Sequence, residues 1–236
     1  IARQYIQVTE VEVILGGGKA IFNATETNVD DCGTFGDFIE AARMRGYEVV
    51  YAKEAMEEAA TRGTNKLLGL FAPNGKTPEL FRVFPEEHYS EDEPTLPQMT
   101  AAALEILEKD KDGFFLLVEG AQIDWAGHDN NLPYQIAETL AFDEAVKVVL
   151  NWINDKPNRR QNTLVIISAD HETGGFAISG GGGRKYKRGD IADHGWTSKG
   201  HTAVDMLIWS QGPGSQHLGR GVDNTDLYKV MLEVLK

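Results

Sequence analysis

Short apolar runs alternate with amphipathic stretches along this chain. Val11 to Leu15, Glu48 to Ala52, Lys66 to Ala72, Phe114 to Glu119 and Thr163 to Ala169 read as strands. Most are apolar on both faces, as strands covered on both sides of a parallel sheet tend to be. Between them the spacing predicts helices at about Phe35 to Arg45, Lys53 to Arg62, Leu96 to Lys109 and Pro133 to Asn154. Pro133 suits a first helical turn, and Ile136, Leu140, Val148 and Trp152 recur on one face. A further strand is predicted from Ala203 to Ser210. Asn224 to Leu235 closes the chain as a helix with Leu227, Val230, Met231 and Val234 inward. Strands alternating with helices predict a doubly wound α/β sheet, with ligand sites beyond the carboxyl ends of its strands.

With 236 residues and 42% hydrophobic content, one well-buried domain over residues 1–236 is expected. Residues 179–200 form its surface loop, with a Gly and basic cluster at Ser179 to Arg188. No apolar run reaches the roughly 20 residues that a membrane-spanning helix needs. The net charge of -13 argues against nucleic acid or an anionic membrane as partner, since both reward clustered Lys and Arg. An anionic substrate would need positive charge from elsewhere, and metal ions are the obvious source. The single Cys32 cannot form an intrachain disulfide. The chain starts at Ile1 without a basic-then-apolar leader, so a signal peptide is expected to be already removed or not included.

Two predicted strands end in side chains suited to metals. Phe114 to Val118 runs into Glu119, and Asp124 and His128 follow four residues apart, a spacing that puts both on one face of a helical turn. Thr163 to Ala169 delivers Asp170 and His171. A third candidate is His201, just before the Ala203 to Ser210 strand. Asp124, His128 and His201 would give zinc three protein ligands and an open fourth position. Asp170 and His171 would half-build a second site, and two cations about 4 Å apart can clamp a phosphate ester. Each group alone also has a plain structural reading, as a capping carboxylate or a packed imidazole.

Gly113-Phe-Phe-Leu-Leu-Val-Glu-Gly120 with Ile123-Asp124 and His128, then Ala169-Asp-His-Glu-Thr-Gly-Gly175 and His201-Thr202, resemble in order and spacing the metal-binding segments of the alkaline phosphatase family. Val13 to Gly18 and Leu68 to Ala72 also resemble strands of that family. The resemblance implies a three-layer α/β/α sandwich with a largely parallel sheet, incomplete here. It also implies hydrolysis of phosphate monoesters through a phosphoserine intermediate. It assigns Asp124, His128 and His201 to a first zinc, Asp170 and His171 to a second, and Glu119 to magnesium. Trp125 would line the substrate pocket. A periplasmic or extracellular location and a homodimer of the full-length protein are implied as well.

The family's nucleophilic Ser lies in an Asp-Ser-Ala-type segment, and no Asp-Ser pair occurs in this chain. That Ser, the phosphate-binding Arg and a bridging Asp are expected upstream of Ile1, so the chain reads as a C-terminal portion, inactive or severely impaired alone. Alternatives are a noncatalytic metal-binding fragment, or a phosphodiesterase, phosphoglycerate mutase or sulfatase of the same superfamily. A nucleotide-binding module on Gly16 to Lys19 lacks the spacing of a P-loop. Ala192-Asp193-His194, His88, His217 and Ser168 have no partner that completes a site, and read as surface or packing residues.

Overall fold

The computed structural model describes residues 1–9, 11–23, 37–84, 90–179, 181–183 and 185–236. Cys32, His88 and the start of the helix predicted from Phe35 lie outside these residues. The chain forms two compact units, residues 1–119 with 141–149, and residues 120–140 with 150–236.

The first unit is built on a parallel sheet of β1 (Val13–Gly16), β2 (Glu48–Val50) and β3 (Leu67–Leu70) in the order β1-β3-β2. Central β3 is apolar at every position because neither face meets water: Leu67 and Leu68 are wholly buried and point to opposite sides. Leu68 and Leu70 pack with Ile6, Phe22, Tyr47 and with Phe38, Ile39 and Ala42 of α1 (Phe38–Met44). Leu67 packs on the other side with Met56, Ala59 and Ala60 of α2 (Lys53–Arg62), and with Met99, Ala102 and Ile106 of α3 (Leu96–Leu107).

Local chemistry sets the helix ends. Asp37 accepts from the amides of Ile39 and Glu40 at the start of α1, and Thr95 with Gln98 forms a capping box on α3. The Gly16 to Lys19 run is a strand-ending turn. Its amides at Gly18 and Lys19, which a phosphate would need, donate to the Asn74 and Ala72 carbonyls.

The second unit holds α4 (Gln122–His128), the ends of α5 (Leu132–Asp155), and α6 (Asn224–Val234). Its strands form antiparallel pairs: β4 (Val165–Ile167) with β9 (Trp209–Gln211), β5 (Glu172–Thr173) with β8 (His201–Thr202), and β6 (Ala177–Ile178) with β7 (His194–Gly195).

Three expectations are corrected. Phe114 to Glu119 joins no ladder among the described residues, and its side chains alternate between half-buried and exposed. Of Ala203 to Ser210 only the end pairs, in β9, and antiparallel to β4. A parallel neighbour requires a crossover such as a helix, and the chain from β4 to β9 instead makes short returning pairs. On α5, Ile136 and Leu140 are exposed, while Tyr134, Ala145 and Ile153 are buried. Tyr134 takes the inward side of the first turn, where its hydroxyl donates to Gln122 Oε1. Apolar spacing by itself does not tell which of two stripes faces inward. On α6 the inward face is as expected, with Leu227, Val230, Met231 and Val234 its less exposed apolar positions.

Candidate metal centre

Asp124 and His128 occupy adjacent turns of α4, with His128 Nε2 3.3 Å from Asp124 Oδ2. Antiparallel pairing of β5 with β8 sets Thr173 opposite His201. His201 Nε2 lies 3.2 Å from His128 Nε2 and 3.4 Å from Asp124 Oδ1. The His171 ring stacks on that of His201 at 3.5 Å between centroids, and its Nδ1 is 3.9 Å from Asp124 Oδ1. Asp124, His171 and His201 each offer a ligand atom within 4.8 Å of the others. Asp170 is the outermost member, largely exposed, with Oδ2 3.3 Å from His171 Nε2. The two ligand groups assigned to separate cations thus adjoin through Asp124 and His171.

A glycine makes the approach of α4 to β5 possible. A Cβ on Gly127 would sit 2.8 Å from the Thr173 carbonyl oxygen and 2.9 Å from its Cβ, too close for any side chain. Gly174, at φ +94°, adopts a left-handed conformation, and a side chain there would collide with the Trp196 ring and the Gly127 carbonyl.

Hydrogen-bond partners fix where the lone pairs point. His128 Nδ1 lies 2.6 Å from the carbonyl oxygen of Lys199, which only accepts, so the ring carries its proton there and turns the Nε2 lone pair toward Asp124 and His201. Thr173 donates its hydroxyl to Asp124 Oδ1 and lies 3.2 Å from His171 Nδ1. Glu172 points the other way. It accepts from the Thr202 hydroxyl and from the Gly175 and Phe176 amides at 3.1 and 3.0 Å, so it ties β5 to β8 and to the turn that follows. Desolvation pushes the Glu172 carboxyl up, but these hydrogen bonds outweigh it and hold the carboxyl below its usual range.

The donors suit a cation. Imidazole nitrogens and carboxylate oxygens converge with acceptor atoms facing one another, an arrangement that is repulsive unless a proton or a metal lies between them. Trp125 follows Asp124 on α4 and is 48% exposed. Glu119 is exposed, at the end of the long stretch of the first unit. His194 sits in β7, its ring 5.9 Å from that of Phe176, and Ser168 donates to the Leu207 carbonyl. His217 lies in a short 3-10 turn beside Gln216.

Sequence reasoning did not single out Thr173, the Lys199 carbonyl or Gly127. Thr173, in β5, lies two positions beyond His171, with its hydroxyl 3.2 Å from His171 Nδ1.

A sequence profile described as alkaline phosphatase matches residues 1–187, a span that includes Glu119, Asp124, His128, Asp170 and His171. The chain is 28% identical to alkaline phosphatase 3 of Bacillus subtilis, over 96% of its own length and 58% of that protein. It is 32% identical to the alkaline phosphatase of Escherichia fergusonii, over 95% of its length and 52% of that protein. It therefore spans between half and three fifths of the length of these relatives. The structure of alkaline phosphatase from the Antarctic bacterium TAB5 superposes with a TM-score of 0.76 at 26% identity, covering 99% of this chain and 64% of that one. A variant of that enzyme with Mg bound gives a TM-score of 0.75 at 25% identity over the same shares. The fold is accordingly the α/β fold of these phosphatases in incomplete form, and the chain belongs to the alkaline phosphatase family.

Proposed function

We propose that this chain holds the metal centre of a hydrolase of phosphate monoesters, with Asp124, His128 and His201 around one zinc, and Asp170 and His171 contributing to a second. The observation that carries this reading is the mutual approach of Asp124, His128 and His201 to within 3.2–3.4 Å, with His128 oriented by the Lys199 carbonyl. Glu119 is assigned to magnesium on its motif, and the TAB5 variant with Mg bound supports such a cation in the family. Bound divalent cations would supply Lewis acidity and neutralise charge on the phosphate oxygens.

The chain's own residues prepare that chemistry. Asp124 would offer carboxylate oxygens to the first position and Asp170 to the second, and the Lys199 carbonyl fixes the orientation of the His128 ring. Trp125 offers an exposed aromatic face beside Asp124 for an ester's organic group. No residue here matches the family's nucleophilic Ser, so the chain supplies cation ligands while a phosphoserine step belongs to the full-length protein. Periplasmic or secreted placement and dimer formation are further parts of this proposal.

Zinc calorimetry together with a phenol-release assay tests the reading. The chain should bind zinc tightly, His128→Ala should remove most of that binding, and zinc-loaded chain should release phenol from its phosphate ester only slowly. Equal zinc binding by chain and variant would reject the ligand set. An enzyme-like rate from this chain would show that the nucleophile is present in it.

A further inference from the structure

Thr173 touches a member of each ligand group, Asp124 and His171. It is buried, at 8% exposure, and its hydroxyl has one proton to give and two lone pairs to offer. An ionised carboxylate only accepts, so the proton goes to Asp124 Oδ1. The oxygen is then left as an acceptor toward His171 Nδ1 at 3.2 Å, which places the ring proton on Nδ1 and leaves a lone pair on Nε2. That lone pair faces Asp170 Oδ2 at 3.3 Å, two acceptors with room for a cation.

The competing arrangement is an Nε2–H donated to Asp170, which would close the second position. Asp170 is 87% exposed, so water screens its pull on the ring, whereas the Thr173 hydroxyl acts where little water competes. The buried hydroxyl decides the tautomer. Resting on the metal reading above, we propose that Thr173 is a positioning residue for both cation sites: one hydroxyl orients Asp124 for the first and selects the metal-binding tautomer of His171 for the second.

Thr173→Val and Thr173→Ser separate this role from packing. Val keeps the methyl group that packs against Gly127, whose added Cβ would lie 3.0 Å from Thr173 Cγ2, and removes only the hydroxyl; Ser does the reverse. Ring ¹⁵N–¹H spectra of the zinc-free protein at neutral pH should show His171 protonated at Nδ1 in the unaltered chain and in Thr173→Ser, and shifted toward Nε2–H in Thr173→Val. Competition with a chelator should show zinc affinity lowered about 10–100-fold in Thr173→Val and nearly unchanged in Thr173→Ser. Thr173→Ala gives the same readouts should Val not be accommodated. The inference is overturned by an unchanged tautomer and affinity without the hydroxyl, or by Thr173→Ser falling as far as Thr173→Val. An unaltered chain that binds no zinc would sink the metal reading, while the tautomer still decides what Thr173 does to His171.

Discussion

In the first unit Leu67, Leu68 and Leu70 are buried among aliphatic and aromatic side chains, and the sheet between the helices is parallel. In the second unit the strands are two or three residues long and antiparallel, Leu207 and Trp209 are mostly exposed, and hydrogen bonds join Asp124 to Thr173 and Glu172 to Thr202. One unit draws its cohesion from apolar area removed from water, which carries no protonation or metal dependence of its own. The other leans on directional contacts among groups that change state with protons and metals. Stability and site formation are therefore expected to respond to different perturbations in the two regions.

The largest expected effect belongs to the apolar side. Leu68→Ala should cost about 2–5 kcal/mol in urea unfolding, because it removes a fully buried side chain at the sheet centre. The comparison also predicts that the folded variant binds zinc as the parent does. Weakened zinc binding would show that the site depends on the apolar core.

Zinc should act on the other side. At 100 times its dissociation constant it should add about 2.7 kcal/mol of stability. Amide hydrogen exchange should slow in α4, β5 and β8 and stay unchanged in β1 to β3. Uniform slowing across both units would erase the contrast.

The first unit was the more legible in sequence. Lys53 to Arg62 was bounded as it stands, since Gly63 ends the helix in a left-handed conformation, and β3 was evident as an uninterrupted apolar run. Phe114 to Val118 is an equally uninterrupted apolar run, yet forms no ladder among the described residues, because a strand needs a partner that composition does not reveal. Helical spacing paired Asp124 with His128, whereas His171 and His201 come together through the antiparallel pairing of β5 with β8, which the reading of strand ends did not foresee. Thr173 and the Lys199 carbonyl were not legible either, since each acts through a hydrogen bond to a residue far away in sequence.

The smallest expected effect compares two helix caps. Thr95 and Gln98 cap α3 with neutral groups, whereas Asp223 and Asp226 cap α6 with carboxylates. Hydrogen bonds from the Thr225 amide and hydroxyl hold the Asp223 carboxyl below its ordinary value, and Lys229 does the same for Asp226. A depressed carboxylate stabilises the fold above its unfolded value near 3.8, and that contribution is lost as pH falls through the lower folded value. Protection from exchange, relative to the intrinsic rate at each pH, should therefore fall at the start of α6 on acidification below that value while α3 holds. Equal loosening of the two would mean that the charge on the α6 cap is immaterial.

The chain between β5 and β8 leaves and returns at one clamped base. The Gly174 amide donates to the Gly200 carbonyl at 3.0 Å, and the Thr197 and Ser198 amides donate to the Gly174 carbonyl at 3.1 and 3.0 Å. His171 and His201 are set on the near side of this clamp, and the Phe176–Trp196 ring contact and the β6–β7 pair continue it outward, so only the chain beyond β6 and β7 is separated from them. The two candidate ligand-bearing ends, β5 and β8, are thereby tied to each other by main-chain bonds whose donors and acceptors carry no side-chain chemistry, so a change of side chain beyond β7 reaches His171 and His201 only through that backbone knot.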